Sequence, residues 1–149
     1  MSDNKMKTNE LLQKMFRTTS IKRFIQRYSE HMSNVPFHTY LMNKCRSKGV
    51  TPAQIIAKSG IERTHGHHIF SGRKSPSRDK VIQLAFGFEM SYEETQELLK
   101  IARKSSLYPK IMRDAIIIIA LKRSLSLDNV QTALDELKLP TIGKEGRYE

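Results

Sequence analysis

The stretch "VTPAQIIAKSG", Val50 to Gly60, restricts the possible folds more than any other part of the chain. Thr51 is a helix-capping residue, and Pro52 suits the first helical position, where its missing N–H costs nothing. Gly60 supplies the positive φ that stops a helix. A helix bounded in this way has only about two turns. The following "IERTHGHHIFSGRKSPS" restarts a helix near Glu62, carries it to about Phe70 and ends it at "SGR". Two short helices around a sharp turn are the expected result.

Elsewhere nearly every segment has a helical apolar period, and none sustains period-two alternation with a hairpin turn, so the fold class is all-α. "TNELLQKMF" puts Leu11, Leu12, Met15 and Phe16 on one stripe after a Thr8 cap. "SIKRFIQRYSEHM" does the same for Ile21, Phe24, Ile25, Tyr28 and Met32 after a Ser20 cap. Together they predict an N-terminal helical arm over residues 1–35, with residues 1–7 as a polar lead. "SNVP" breaks the pattern, and a helix from about Pro36 to Lys48 then ends at Gly49. Beyond the central pair, a helix begins around Ser77 with Asp79 in its first turn, and another begins at Ser91 with Glu94 at capping-box spacing.

Residues 36–104 therefore read as a five-helix domain. Residues 105–149 read as a C-terminal helix pair, Pro109 to about Arg123 and Ser126 to about Leu139, with "TIGKEGRYE" as a frayed tail. Laid over the preceding pair, this segment matches Ala85 with Ala120, Ser91 with Ser126, Gln96 with Gln131 and Leu99 with Leu134, an offset of 35 residues. Such a match fits a weak internal repeat, and equally the ordinary similarity of two amphipathic helix pairs.

Twenty-six Lys and Arg against fifteen Asp and Glu give a formal charge of +11, which predicts attraction to phosphate-rich polymers or an anionic membrane surface. The longest apolar run, "AIIIIAL" from Ala115 to Leu121, falls far short of the roughly 20 residues a membrane span needs. The N-terminal residues lack the apolar core of a signal peptide, and the single Cys45 has no partner for an internal disulfide. A cytoplasmic location is expected.

The segment "TPAQIIAKSGIERTHGHHIFSGRKSPS", within a match running from about Phe37 to Ala102, resembles the Cro/Xre-type helix-turn-helix family of bacterial and phage DNA-binding regulators. That resemblance implies a lambda repressor-like five-helix domain and a transcriptional regulator of double-stranded DNA. Two positions depart from the family pattern: Ile56 stands where a small residue is usual, and Gly66 where a β-branched one is usual. These positions face each other across the helix crossing in that family, so the exchange conserves volume.

With "IERTHGHHIF" as the recognition helix, Ile61, Gly66 and Ile69 face inward. Arg63, Thr64 and His68 are then the base-reading candidates, since a guanidinium suits guanine O6 and N7 and a threonine methyl suits thymine. His65 and His67 flank that face and touch phosphates or nothing. Arg73, Lys74, Ser75, Ser77 and Arg78 in the following loop, with Thr51 and Gln54 at the start of the supporting helix, are the phosphate-contact candidates.

Other readings compete with this one. His65 and His68 can share a helix face, but zinc needs three or four ligands, and only Glu62 and Asp79 add carboxylates nearby, so no metal is expected. No catalytic signature and no phosphate-binding glycine loop occurs, so neither an enzyme nor a cofactor is expected. A protein-interaction adaptor that retains the helix-turn-helix fold is the alternative function. "DAIIIIALKRSLSL" is apolar enough to be buried, against its own domain or in a homodimer. Lys100, Arg103, Lys104, Lys110, Arg113, Lys122 and Arg123 either extend a nucleic-acid footprint or line solvated faces. Tyr28, Tyr40, Phe37 and Phe24 have the helical spacing of core residues rather than of a base-stacking platform.

Overall fold

A computed structural model describes residues 6–32 and 35–143. Among them are nine α-helices and no strand: α1 Thr8–Arg17, α2 Ile21–Tyr28, α3 Phe37–Lys48, α4 Pro52–Ser59, α5 Arg63–Phe70, α6 Arg78–Gly87, α7 Tyr92–Ile101, α8 Met112–Lys122 and α9 Leu127–Glu136. None of these helices is long and apolar enough to cross a membrane.

The chain divides into two compact units, Met1–Val35 and Pro36–Glu149. In the first, Ser20 caps α2 by accepting from the Arg23 N–H, and a short 3-10 turn, Ser29–His31, follows Tyr28. Phe24 is buried, and its ring lies 4.7 Å from that of Tyr28. The expected Thr8 cap is not observed: α1 begins one residue earlier, with Lys7 at the cap position and Thr8 inside the helix. Phe16, Ile21 and Ile25 on the two expected stripes are exposed. The polar lead at residues 1–5 lies outside the described residues.

In the second unit a single core runs from Leu41 on α3 to Ile142 near the C-terminus. The local signals act as expected. Gly49 and Gly60 end α3 and α4 at positive φ, and Ser77, Ser91 and Ser126 cap α6, α7 and α9. Ser91 and Glu94 form the capping box. Helix α8 starts later than the sequence suggests, at Met112 rather than Pro109.

The C-terminal pair contributes Ile117, Ala120, Leu121, Val130 and Leu134 to that core. A boundary at residue 104 therefore marks no break in the packing. The tail is also more ordered than expected at its start, where Ile142 is buried and both its backbone groups bond to Gln131. Residues 144–149 of it lie outside the described residues.

The offset of 35 residues recurs in the hydrogen bonds. Gln96 clamps the backbone N–H and C=O of Leu107, as Gln131 clamps those of Ile142. Glu89 and Ser124 take positive φ after α6 and α8, and Arg103 and Lys138 do so after α7 and α9. Arg78 donates Nε to the Ser105 carbonyl and Nη2 to that of Ser106; Arg113 donates in the same way to Pro140 and Thr141.

The carboxylates are exchanged between the copies. Arg78 grips Asp114 through two bonds of 3.2 and 2.9 Å, while Arg113 grips Asp79 through two of 3.0 and 2.9 Å. The backbone N–H groups that complete the two sites follow the exchange, Tyr108 donating to Asp114 and Gly143 to Asp79. A translational stack would pass each contact on to a third copy. Exchange in both directions is what an approximate two-fold relation produces, so α6–α7 and α8–α9 form a closed pair.

Burial of Asp79 pushes its carboxyl up, but the Arg113 fork, the Gly143 N–H and the charges of Arg113 and Arg78 together hold it below the usual carboxylate range. A depressed folded value means a contribution present above the unfolded value of about 3.9 and lost as pH falls through the folded one. Urea midpoints of the wild type and Asp79→Asn are therefore expected to differ at pH 7 and to begin converging only as pH falls below about 4. A gap that stays constant with pH would remove the ionised carboxylate from the stability of the fold.

Candidate nucleic-acid interface

Helices α4 and α5 are joined by Gly60, Ile61 and Glu62. Gly60 takes φ +69°, which lets the chain reverse, and Ile61 drops into the core. Ser59 is fully buried, its hydroxyl donating to the Ile55 carbonyl at 2.6 Å, while Gln83 on α6 donates to the Ser59 carbonyl. The turn is thereby fastened to α6.

The Thr51 hydroxyl accepts from the Gln54 N–H at 3.2 Å, and Gln54 Oε1 accepts from the Thr51 N–H at 2.9 Å. Both candidates at the start of α4 thus spend an acceptor on each other. Their remaining donors, the Thr51 hydroxyl hydrogen and the Gln54 amide nitrogen, bond to no acceptor among the described residues.

On α5 the buried side holds Gly66, Ile69 and Phe70. Gly66 lies against Ile56: a Cβ built there would come within 2.6 and 2.8 Å of the Ile56 Cγ2 and Cγ1 atoms. The close packing of these two positions is as the sequence suggests. Phe70 is an additional inward residue. Arg63, Thr64 and His67 are exposed, and His65 and His68 are half-buried.

Glu62, near which the sequence predicts the helix to restart, is the N-cap of α5. Its two carboxylate oxygens accept from the Thr64 N–H at 2.7 Å and the His65 N–H at 3.1 Å. Those backbone bonds hold its carboxyl below the usual range. Because an acid already occupies the N-terminal N–H groups, α5 itself is no anion site. Its contribution comes from the side chains of its first turn.

The loop after α5 is tight. The His68 carbonyl accepts from the Arg73 N–H, the Lys74 N–H and the Ser71 hydroxyl. A Cβ on Gly72 would meet the His38 ring at 2.7 Å, so the loop lies directly on α3. Arg73, Lys74 and Ser75 are exposed, whereas Ser77 is half-buried as the cap of α6. Arg73 and Lys74 spend their backbone N–H groups inside the loop, so it is their side chains that they present.

Arg78 departs from its expected role. All three of its guanidinium nitrogens bond within the chain, to Asp114, Ser105 and Ser106, which places it in the frame that holds the loop instead of on a ligand. Arg113, one of the additional basic residues, is committed in the same way to Asp79. The recurring Arg–Asp dipeptide, 78–79 and 113–114, was the available signal.

No Asp or Glu occurs between Arg63 and Arg78, so the exposed surface of α5 and its loop carries only basic and neutral side chains. Among the described residues no group of three His, Cys, Asp or Glu side chains is placed to hold a metal ion. Comparison with protein-family models, with curated proteins and with solved structures found no match.

Proposed function

We propose that this chain is a sequence-specific double-stranded DNA-binding transcriptional regulator of the Cro/Xre helix-turn-helix type. The observation that carries the reading is the outward face of α5. Exposed Arg63 and Thr64 in its first turn are followed by an acid-free loop that displays Arg73 and Lys74 and is braced on α3. A short helix with readable polar groups at its N-terminal end fits the major groove, and cations beside it fit the flanking phosphates. In this reading Arg63 donates to a guanine edge, Thr64 touches a thymine methyl, and His68 reaches a base one turn further along. Arg73 and Lys74 fix register on the backbone, aided by Ser75, Thr51 and Gln54. Two copies bind paired half-sites.

Selection from a random duplex library tests the proposal. An enriched motif, two-fold symmetric if two copies bind, supports it; binding that is only salt-sensitive and sequence-blind points to the adaptor reading instead. Within the selected site, Arg63→Ala is expected to cost about 1–3 kcal/mol and relax preference at one base position. Lys74→Ala is expected to weaken all duplexes equally and lower the salt slope by about one unit. Equal loss on every sequence for Arg63→Ala would reduce that residue to a phosphate contact.

A further inference from the structure

We propose that the non-helical segment from Arg103 to Lys110 is a second phosphate-gripping patch, aligned beside the loop after α5 by Arg78, that holds the duplex backbone outside the base-reading contact. This inference rests on the DNA-binding reading above. Its geometry starts at Arg78, the first residue of α6 and the immediate neighbour of the Ser77 cap that closes the loop. From there its guanidinium donates to the Ser105 and Ser106 carbonyls, each at 3.0 Å. The backbone of 105–106 is thus held within one arginine side chain of the end of the Arg73–Lys74 loop.

The segment is not helical, yet it is firmly held. Asp114, itself gripped by Arg78, accepts from the Tyr108 N–H, and Gln96 satisfies both backbone groups of buried Leu107. A patch held this way loses little conformational freedom on binding. Its outer side chains include a cluster of cations and hydroxyls beside the exposed Tyr108 and Pro109: Arg103 and Lys110 are exposed, Lys104 is half-exposed, and Ser105 and Ser106 add exposed hydroxyls.

Both pinned segments carry charge of one sign. No Asp or Glu occurs from Leu98 to Arg113, just as none occurs from Arg63 to Arg78. The acids adjoining these two runs on α6 and α8, Asp79 and Asp114, are each neutralised by an arginine. The other acids of residues 62–136 are Glu62, whose oxygens cap α5, and Glu89, Glu93, Glu94, Glu97, Asp128, Asp135 and Glu136 in and around α7 and α9. Two acid-free cationic segments, distant in sequence and pinned together, suit the closely spaced phosphates of a duplex, which carries a charge about every 1.7 Å along its axis. Such contacts add affinity without reading sequence. Arg78 acts here as a positioning residue.

The test uses the full chain and the Lys104→Gln/Lys110→Gln double variant, whose substitutions lie on the surface. Each is titrated against the library-selected duplex from 50 to 200 mM salt, and against the same duplex trimmed at its flanks. The double variant is expected to have a salt slope lower by about two units, so that it loses about tenfold less affinity than wild type across that range, with unchanged base preference. Trimming is expected to bring wild type down to the level of the variant. Arg78→Lys, folded by circular dichroism, should lose slope in the same way although its charge is unchanged, a result that removal of charge alone does not explain. An unchanged slope in the double variant, while wild type still selects its motif, overturns the patch and leaves the DNA-binding reading standing. Failure of wild type to select any motif overturns the DNA-binding reading, and the patch with it.

Discussion

Asp114→Ala is expected to destabilise the chain by about 3 kcal/mol or more, the scale measured when one partner is removed from a buried ion pair. Asp114 is only 2% exposed and accepts three hydrogen bonds, two from Arg78 and one from the Tyr108 N–H. Alanine removes all three acceptor contacts. It leaves the Tyr108 N–H unsatisfied and the Arg78 cation without its counter-charge in a partly dry site. Arg78 keeps its bonds to the Ser105 and Ser106 carbonyls, and its side chain is 24% exposed, so the loss should lie toward the lower end of that scale.

The equivalent carboxylate, Asp79, is ten times more exposed, at 20%, and Asp79→Ala should therefore cost less. Urea unfolding with an unchanged m-value is the measurement. A cost below about 1 kcal/mol for Asp114→Ala would place the pair among ordinary surface salt bridges. The double variant Arg78→Met/Asp114→Leu should recover most of the loss, because apolar replacement of a whole buried pair is commonly neutral or better.

These pairs also show where sequence reading stops. The helix ends were legible because their signals are local: Thr51 before Pro52, Gly60 after Ser59, and Ser91 three residues before Glu94. The matches at an offset of 35, Ala85 with Ala120, Ser91 with Ser126, Gln96 with Gln131 and Leu99 with Leu134, were legible too, although they fitted two ordinary amphipathic helix pairs equally well. The partner exchange was not, because Arg78 reaches Asp114 and Arg113 reaches Asp79, each across more than thirty residues, and twenty-six cations and fifteen acids allow many such pairings. An arginine in a loop beside a helix start has the same local signature whether it faces a phosphate or a buried carboxylate. Burial of the partner decides between them. Glu62 was missed as a cap for a simpler reason: Ser, Thr, Asp and Asn are the favoured capping residues, and glutamate is not among them.

The outward face of α5 lies between these extremes. The alternation of exposed Arg63, Thr64 and His67 with buried Gly66 and Ile69 follows from the helical period. How deeply His65 and His68 sit depends on how α3 and α4 pack against α5, and no local pattern sets that.

Gly66→Val should destabilise the chain by up to about 3 kcal/mol, the usual range for overpacking a filled site. The clash is with a near neighbour. The Cβ alone would stand 2.6, 2.8 and 3.0 Å from three Ile56 atoms, and valine adds two methyl groups beyond it. Ile56 is β-branched and buried, so its Cγ atoms cannot swing clear as the end of a long side chain would. The roughly 1 kcal/mol that glycine costs a helix relative to alanine works in the opposite direction and is too small to win. Ile56→Ala alone should cost about 2–5 kcal/mol, because Gly66 brings no atoms to fill the space left behind. Ile56→Ala/Gly66→Val restores volume, and the double variant is expected to be more stable than the sum of the two single losses by at least about 1 kcal/mol, within the range seen for residues in contact. Additive losses in urea would mean that the two positions do not share one space. Coupling would show that the bare Gly66 between the histidines is the packing complement of Ile56, and that it sets how closely α5 approaches α4.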